Sequence, residues 1–209
     1  MVTCPLCSTE SALFYTYKTR QYYSCPNCYG VFLDPEALPK PYDEKERYTR
    51  HDNDVNDERY RNFVRPLFDV IRKNCSPQHK GLDYGAGTGP VIAAMLREEH
   101  YTIALYDPFF HPNTEALTQK YDYIVCSEVV EHFHKPMRDF SLLYKLLIPN
   151  GKLLCLTSVF YNHIDFARWY YKNDKTHSFF YRPETLKYIS QILGFAHMQL
   201  EKNVVVFTK

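Results

Sequence analysis

The chain has 209 residues, 45% of them hydrophobic and 23% charged, with a formal net charge of +1; this suits one catalytic domain with a packed core and a small appendage. The near-zero charge excludes a strong global field for nucleic acid or anionic membrane, and no window approaches the roughly 18 apolar residues of a membrane-spanning helix. Aromatic residues reach 16%, with 19 Tyr and 14 Phe, and position decides whether they build core or a ligand pocket.

The N-terminus, Met1-Val2-Thr3-Cys4, enters a cysteine motif at once and leaves no room for a signal peptide, so a cytoplasmic location is expected. Cys4-Pro-Leu-Cys7 and Cys25-Pro-Asn-Cys28 make the spacing C-x2-C-x17-C-x2-C, a strong sign of a four-thiolate metal site. Two such knuckles suit tetrahedral Zn²⁺; iron is the alternative. A full set of four protein ligands leaves no open position, so the metal is expected to be structural and to stabilise a unit too short to fold on a core alone. Residues 1–35 therefore read as a zinc ribbon, with the Tyr-rich run from Leu13 to Tyr23 as its β-hairpin. Cys75, Cys126 and Cys155 lie in apolar surroundings and read as small core residues. The odd cysteine count argues against a disulfide framework.

Residues 36–79 read as a linker and helical cap. Pro35, Pro39 and Pro41 mark the linker, and a polar stretch runs from Asp43 to Asp57. Beyond it Tyr60, Phe63, Val64, Leu67, Phe68 and Ile71 recur at helical spacing. Pro66 inside that pattern predicts a kink or restart.

Residues 80–209 alternate strand and helix. Strands are expected at 81–84, 102–106, 121–126, 152–158, 197–201 and 204–208, and helices at 90–97, 137–147 and 183–193. This alternation predicts an α/β fold, a doubly wound and mostly parallel sheet with helices on both faces.

The most informative segment is Leu82-Asp83-Tyr84-Gly85-Ala86-Gly87-Thr88-Gly89, a glycine turn between a strand and a helix. Glycine permits positive φ and close ligand approach. The spacing is G-x-G-x-G, not the G-x-G-x-x-G of dinucleotide loops, and Asp83 beside it would repel a pyrophosphate but suit a cationic amine. Asp107, about 20 residues on, can bind two ribose hydroxyls; the alternative is a turn cap before Pro108.

With these residues the chain resembles the class I S-adenosylmethionine-dependent methyltransferases, whose fold is Rossmann-like. The resemblance continues through residues 121–133, Tyr-Asp-Tyr-Ile-Val-Cys-Ser-Glu-Val-Val-Glu-His-Phe, and the turn Pro149-Asn150-Gly151, and covers about 130 residues in order. It implies that residues 80–209 bind S-adenosylmethionine. Asp83, Tyr84, Gly85 and Gly87 would flank its methionine part, Asp107 and Pro108 its ribose, and Ser127, Glu128 and Val129 would pack beside it. Only 13 residues separate Asp107 from Tyr121, too few for the family's third strand. Phe109 or Phe110 would then stack on adenine. The shortened passage is similar to a subgroup of zinc-ribbon-bearing bacterial methyltransferases.

Nine rings fall within residues 160–181 and predict an aromatic substrate wall or lid, with part of the segment packed as ordinary structure. Asp174 to Pro183 is similar to small-molecule methyltransferases that place a His before the last helix. His177 is thus the first candidate base and His132 the second, because imidazole titrates near neutrality. Tyr48 and His51 lie just before the first long helix, whose equivalent in related enzymes covers the cofactor, so they are expected to close the site; a solvated loop is the other reading. The expected acceptor is a small molecule. An RNA or protein acceptor, with the ribbon as reader, is the alternative, although residues 1–35 hold only Lys18 and Arg20 against Glu10 and Asp34. No membrane partner is expected.

Overall fold

The computed structural model describes residues 1–50 and 54–209. The N-terminal unit is antiparallel: β1 (Val2–Thr3), β2 (Glu10–Tyr17), β3 (Arg20–Ser24) and β4 (Val31–Leu33), with β2 and β3 forming the expected hairpin. Its two cysteine turns repeat one hydrogen-bond pattern. Ser8 N–H donates to the Cys4 carbonyl at 2.9 Å and Tyr29 N–H to the Cys25 carbonyl at 3.1 Å. Ser8 and Tyr29 both take φ 61°, which turns each chain back past its pair of thiols.

Helix α1 (Pro41–Thr49) occupies the stretch that reads as a polar linker. Pro41 opens it, where a missing N–H costs nothing, and Asp43 and Glu44 complement its N-terminal dipole. Glu44 alone among its residues is buried, so no apolar periodicity announces it. Helix α2 (Glu58–Asn74) runs through Pro66 without the expected restart. Pro66 and Asn62, whose carbonyl loses its partner, both lie on the exposed side, where water replaces the bond. The opposite face, Val64, Leu67, Phe68 and Ile71, stays buried.

The remainder builds the α/β layer: β5 (Lys80–Tyr84), α3 (Val91–Glu98), β6 (Thr102–Tyr106), β7 (Tyr121–Ser127), α4 (Pro136–Leu146), β8 (Leu147–Leu156), β9 (Phe179–Phe180), α5 (Pro183–Leu193), β10 (His197–Glu201) and β11 (Val204–Thr208). Six strands form a mixed sheet in the order β10-β11-β8-β7-β5-β6. The ladders from β8 to β6 are parallel, and β11 and β10 add antiparallel. Among the described residues no strand lies outside β6, in keeping with the short passage after Asp107. The turn at 149–151 is a bulge inside β8, with Asn150 at φ 64°.

Alternation along the strands assigns the two faces. Tyr123, Val125, Leu154, Leu156, Val204 and Val206 pack under α2 and α3. Ile124, Cys126, Leu153, Cys155, Val205 and Phe207 pack with Phe140, Leu143, Leu186 and Ile189 of α4 and α5.

The N-terminal unit is joined to this layer by a shared sheet. Strand β4 pairs with β9 in the register Val31↔Phe180 and Phe32↔Phe179, which gives the order β1-β2-β3-β4-β9. The aromatic segment expected to wall the substrate site instead fills this joint. Phe160, Phe166, Trp169, Tyr171 and Phe180 are buried together with Tyr22, Val31 and Leu33, and Phe166 meets Tyr22 edge to face at 5.3 Å. A large aromatic area favours burial against another apolar surface over exposure to water, and the N-terminal hairpin supplies that surface.

Candidate active site

Parallel strands aim their carboxyl ends at one crevice, and a site forms where the strand order reverses. Here β5 lies between β6 and β7, so the loops after these three strands meet. They line a cavity of about 420 Å³ that gathers Asp83, Tyr84, Gly85, Gly87, Asp107, Pro108, Phe109, Ser127, Glu128, Val129, His132 and His177. The candidate cofactor and catalytic residues named from the sequence therefore line one cavity. The cavity also takes in Glu44, Tyr48, Tyr60, Phe63, Phe110, His134 and Asp139. Of the aromatic segment 160–181, only His177 reaches it. His51 lies outside the described residues.

The glycine loop is held by the end of β6. Gly85 and Ala86 N–H groups both donate to the Tyr106 carbonyl, at 2.8 and 3.1 Å. Gly85 has φ 81°, and an added Cβ would fall 2.6 Å from Val129. Gly87 has φ 64°, and its missing Cβ would enter open space, so a ligand can approach the backbone there.

Asp107, 7% exposed, accepts the Gly87 N–H on Oδ2 at 3.0 Å. Its Oδ1 accepts the Phe109 and Phe110 N–H groups at 2.8 and 3.1 Å. The turn-cap reading is thus realised on Oδ1. Oδ2 keeps a lone pair toward the cavity, since a carboxylate offers about four acceptor sites. Asp83 is 3% exposed, and burial pushes its carboxyl up to about 7, opposed by Arg97 and assisted by Asp107. A cationic amine beside it would restore the charged form. Ser127 Oγ is buried with no partner among the described residues and its residue lines the cavity, so a bound ligand or water there can satisfy it. These groups fit the amino-acid and ribose parts of S-adenosylmethionine.

The far end of the cavity carries two imidazoles, His132 and His177, with ring centroids 4.8 Å apart. His177 Nδ1 lies 2.7 Å from the Tyr171 carbonyl and His132 Nδ1 lies 3.1 Å from the Thr176 carbonyl. A carbonyl only accepts, so each Nδ1 carries the proton and each Nε2 holds a lone pair. Burial lowers both rings, His177 to about 4 and His132 to about 3. Next to them the buried Glu131 accepts the Tyr171 hydroxyl, and the Thr157 hydroxyl at 3.0 Å. Burial pushes Glu131 and Glu128 up, and the Glu131 charge pushes Glu128 further. Glu128 takes φ 53°, a conformation a non-glycine residue adopts at a cost and one that recurs at functional sites.

The loop that presents His177 is tied from two sides. Asp174 receives the Arg47 guanidinium at 2.7 Å and the Thr176 N–H and O–H at 2.9 and 2.7 Å. Burial acts to raise this carboxyl, but those three donors outweigh it and hold it well below the usual range. From the N-terminal unit, Arg20 donates to the carbonyls of Lys172, Asp174, Lys175 and His177 at 3.1–3.5 Å. Tyr48 of α1 packs on His132 and Phe109 at 5.2 and 6.0 Å between centroids, which places α1 over the cavity. Sequence reasoning gave Glu131, Arg20 and Arg47 no role. Glu131 had a local signal, its place beside His132 in Glu-x-x-Glu-His. The two arginines act across more than 120 residues and had none.

In the N-terminal unit, Cys4 and Cys28 sulfurs are 3.6 Å apart and Cys7 and Cys25 sulfurs 3.3 Å apart. All four ligand atoms lie within 4.8 Å of one another. These gaps are far beyond a disulfide bond and near the ~3.8 Å edge of a tetrahedron with metal–sulfur bonds of about 2.3 Å. The cluster fits a metal ion.

A family model described as a methyltransferase domain matches residues 51–200. No curated protein sequence matches the chain. Among solved structures, an O-methyltransferase family protein from Burkholderia thailandensis aligns with a TM-score of 0.57 at 14% identity, over 82% of this chain and 64% of that one. The chain thus spans less than two thirds of that relative. A SAM-dependent methyltransferase from Archaeoglobus fulgidus aligns with a TM-score of 0.56 at 18% identity, over 71% and 94%. A 1,6-didemethyltoxoflavin-N1-methyltransferase from B. thailandensis, with bound 1,6-didemethyltoxoflavin and S-adenosylhomocysteine, aligns with a TM-score of 0.53 at 15% identity, over 94% and 98%. At these identities the likeness is one of fold.

Proposed function

The chain belongs to the methyltransferase-domain family, and from that premise we propose that it transfers the methyl group of S-adenosylmethionine to a small-molecule acceptor. The observation that carries this reading is the polarity of one cavity: a glycine loop with Asp83 and Asp107 at one end, and two neutral imidazoles at the other. When bound, the cofactor supplies an electrophilic methyl carbon on a sulfonium sulfur. Asp83 would take its amine, Tyr84, Gly85 and Gly87 would flank its methionine part, and Asp107 with Pro108 would hold its ribose. Ser127, Glu128 and Val129 would pack beside it, with Phe109 or Phe110 against adenine.

The chain's own contribution to the chemistry is alignment and proton removal. His177, with His132 second, offers the lone pair that would receive the acceptor's proton. In this reading residues 80–209 bind the cofactor, 36–79 cap it, and 1–35 form a ribbon whose four cysteines hold a structural Zn²⁺.

The small-molecule reading is supported by a cavity of about 420 Å³, and by the B. thailandensis relative crystallised with 1,6-didemethyltoxoflavin. The alternative, a ribbon that reads RNA or protein, has less support: Arg20, one of the unit's two basic residues, is turned onto the His177 loop. The test is incubation with S-adenosylmethionine labelled on the methyl group and an extract divided into small molecules, RNA and protein. Label in the small-molecule fraction is expected; label only in a macromolecular fraction would move the assignment to the alternative.

A further inference from the structure

We infer that the inner end of the cavity is a divalent transition-metal site, with Glu131, His132 and His177 as its protein ligands. One ligand atom from each residue lies within 4.8 Å of those from the other two, so at most a small inward shift would bring all three within reach of a single ion with bonds of about 2.1 Å. The inference rests on the methyltransferase reading and replaces one part of it: with an ion bound, the lone pairs assigned above to proton removal would hold the metal, and the metal would hold the acceptor.

Three observations point to an ion. Both imidazoles have Nδ1 anchored on a backbone carbonyl, at 2.7 Å for His177 and 3.1 Å for His132. That is how proteins fix a metal-binding histidine, with one nitrogen donating outward and the other left bare. The bare Nε2 of His177 belongs to a side chain that is only 7% exposed, and among the described residues nothing hydrogen-bonds it. The carboxylate is oriented in the same manner, since the Tyr171 and Thr157 hydroxyls each donate to one Glu131 oxygen and leave a lone pair on both.

The donor set selects the ion. Two neutral imidazoles and one carboxylate suit Mn²⁺, Fe²⁺, Co²⁺ or Zn²⁺; Mg²⁺ and Ca²⁺ prefer shells of oxygen. Three protein ligands leave open positions, unlike the four-sulfur cluster. His132 and His177 line the cavity, so the ion would be open from that side to an acceptor's hydroxyl or enol oxygen. Coordination lowers the pKa of such an O–H group, and its proton leaves to water in the cavity. The acceptor class is then an oxygen nucleophile.

The experiment titrates Mn²⁺ into the full chain, with one equivalent of zinc held by the cysteine cluster and excess zinc removed by a chelator so that the nitrogen–oxygen site is empty, and follows free and bound Mn²⁺ by electron paramagnetic resonance. One bound Mn²⁺ per chain is expected, with pulsed spectra showing nitrogen couplings from imidazole. His177→Gln and His132→Gln should each weaken binding at least about tenfold, in the range seen when metal sites lose a ligand or its support. No Mn²⁺ binding, bound Mn²⁺ without nitrogen coupling, or unchanged binding in both variants would overturn the inference. The nitrogen signal is read on the wild-type chain, so it decides even where a variant fails to fold. Calorimetry with S-adenosylhomocysteine on the same sample separates the two readings, because loss of that binding counts against the methyltransferase assignment and leaves the Mn²⁺ result standing.

Discussion

Asp107 at the tip of β6 accepts the Gly87 N–H at 3.0 Å, so the residue proposed to bind ribose also fixes the backbone that a ligand would approach. Asp107→Ala removes both functions. It also strips the acceptor from the Phe109 and Phe110 N–H groups. Affinity for S-adenosylhomocysteine, measured by calorimetry, should fall at least about tenfold, or 1.4 kcal/mol. Asp107→Asn keeps one acceptor oxygen and should fall less. Equal affinity in all three proteins would remove the ribose assignment.

Asp83 gives a pH test with a definite sign. Burial raises its carboxyl to about 7 in the folded chain, against about 3.9 unfolded. The folded state therefore binds more protons between these values, and stability contributed by the neutral carboxyl is full below about pH 4 and lost as pH rises to about 7. Asp83→Asn should raise the melting temperature at pH 8 and leave it nearly unchanged at pH 4. In the wild type, a cationic amine bound beside Asp83 favours its ionised form, so cofactor binding at pH 6 should release protons. Calorimetry in buffers of differing ionisation enthalpy reads this directly, and zero proton release would place the amine elsewhere.

What the sequence discloses divides by distance along the chain. The glycine loop, Asp107 and the two cysteine pairs are legible because their partners lie within 24 residues of one another: a strand must end and turn where Gly85 and Gly87 stand. The short passage after Asp107 likewise announces a sheet that stops at β6. Helix α1 was hidden because it buries little apolar surface. The rings between 160 and 181 misled because composition states that they must be covered, not by what. Their partner is a hairpin about 150 residues earlier, reached through the Val31↔Phe180 pairing, and no local pattern encodes that.

His177 is buried, and burial lowers its ring to about 4 from an ordinary value near 6.5. A depressed histidine disfavours folding as it protonates, so stability should fall as pH drops from about 6.5 toward 4. His177→Asn should flatten this part of the profile, as followed by urea unfolding at several pH values. With an acceptor in hand, His177→Ala should cut turnover well over tenfold; a near-wild-type rate would leave the residue a purely structural role.

Arg20 acts on the site through the loop that carries His177. Its guanidinium reaches four carbonyls between residues 172 and 177, and Arg20→Met would leave these acceptors to water while keeping a long apolar stem. Turnover should fall several-fold, while affinity for S-adenosylhomocysteine should hold, since no cofactor-end residue is touched. A drop in cofactor affinity equal to the drop in rate would point to general unfolding and refute the positioning role.

The proposed zinc should matter to catalysis in the same selective way. Strand β4 follows directly on the Cys25–Cys28 turn and pairs with β9, two residues beyond His177. Metal analysis should find one zinc in the cysteine cluster, and Cys25→Ser should lose it. A small unit of this kind depends on its metal to fold, so β4 would loosen and release the edge of β9 and the Leu33 N–H bond to the Ser178 carbonyl at 2.8 Å. Turnover should then collapse while the glycine loop, held by Tyr106 and Asp107 at the other end of the cavity, still binds S-adenosylhomocysteine. Full turnover in a metal-free Cys25→Ser chain would mean that the ribbon and the active site are joined in space but not in function.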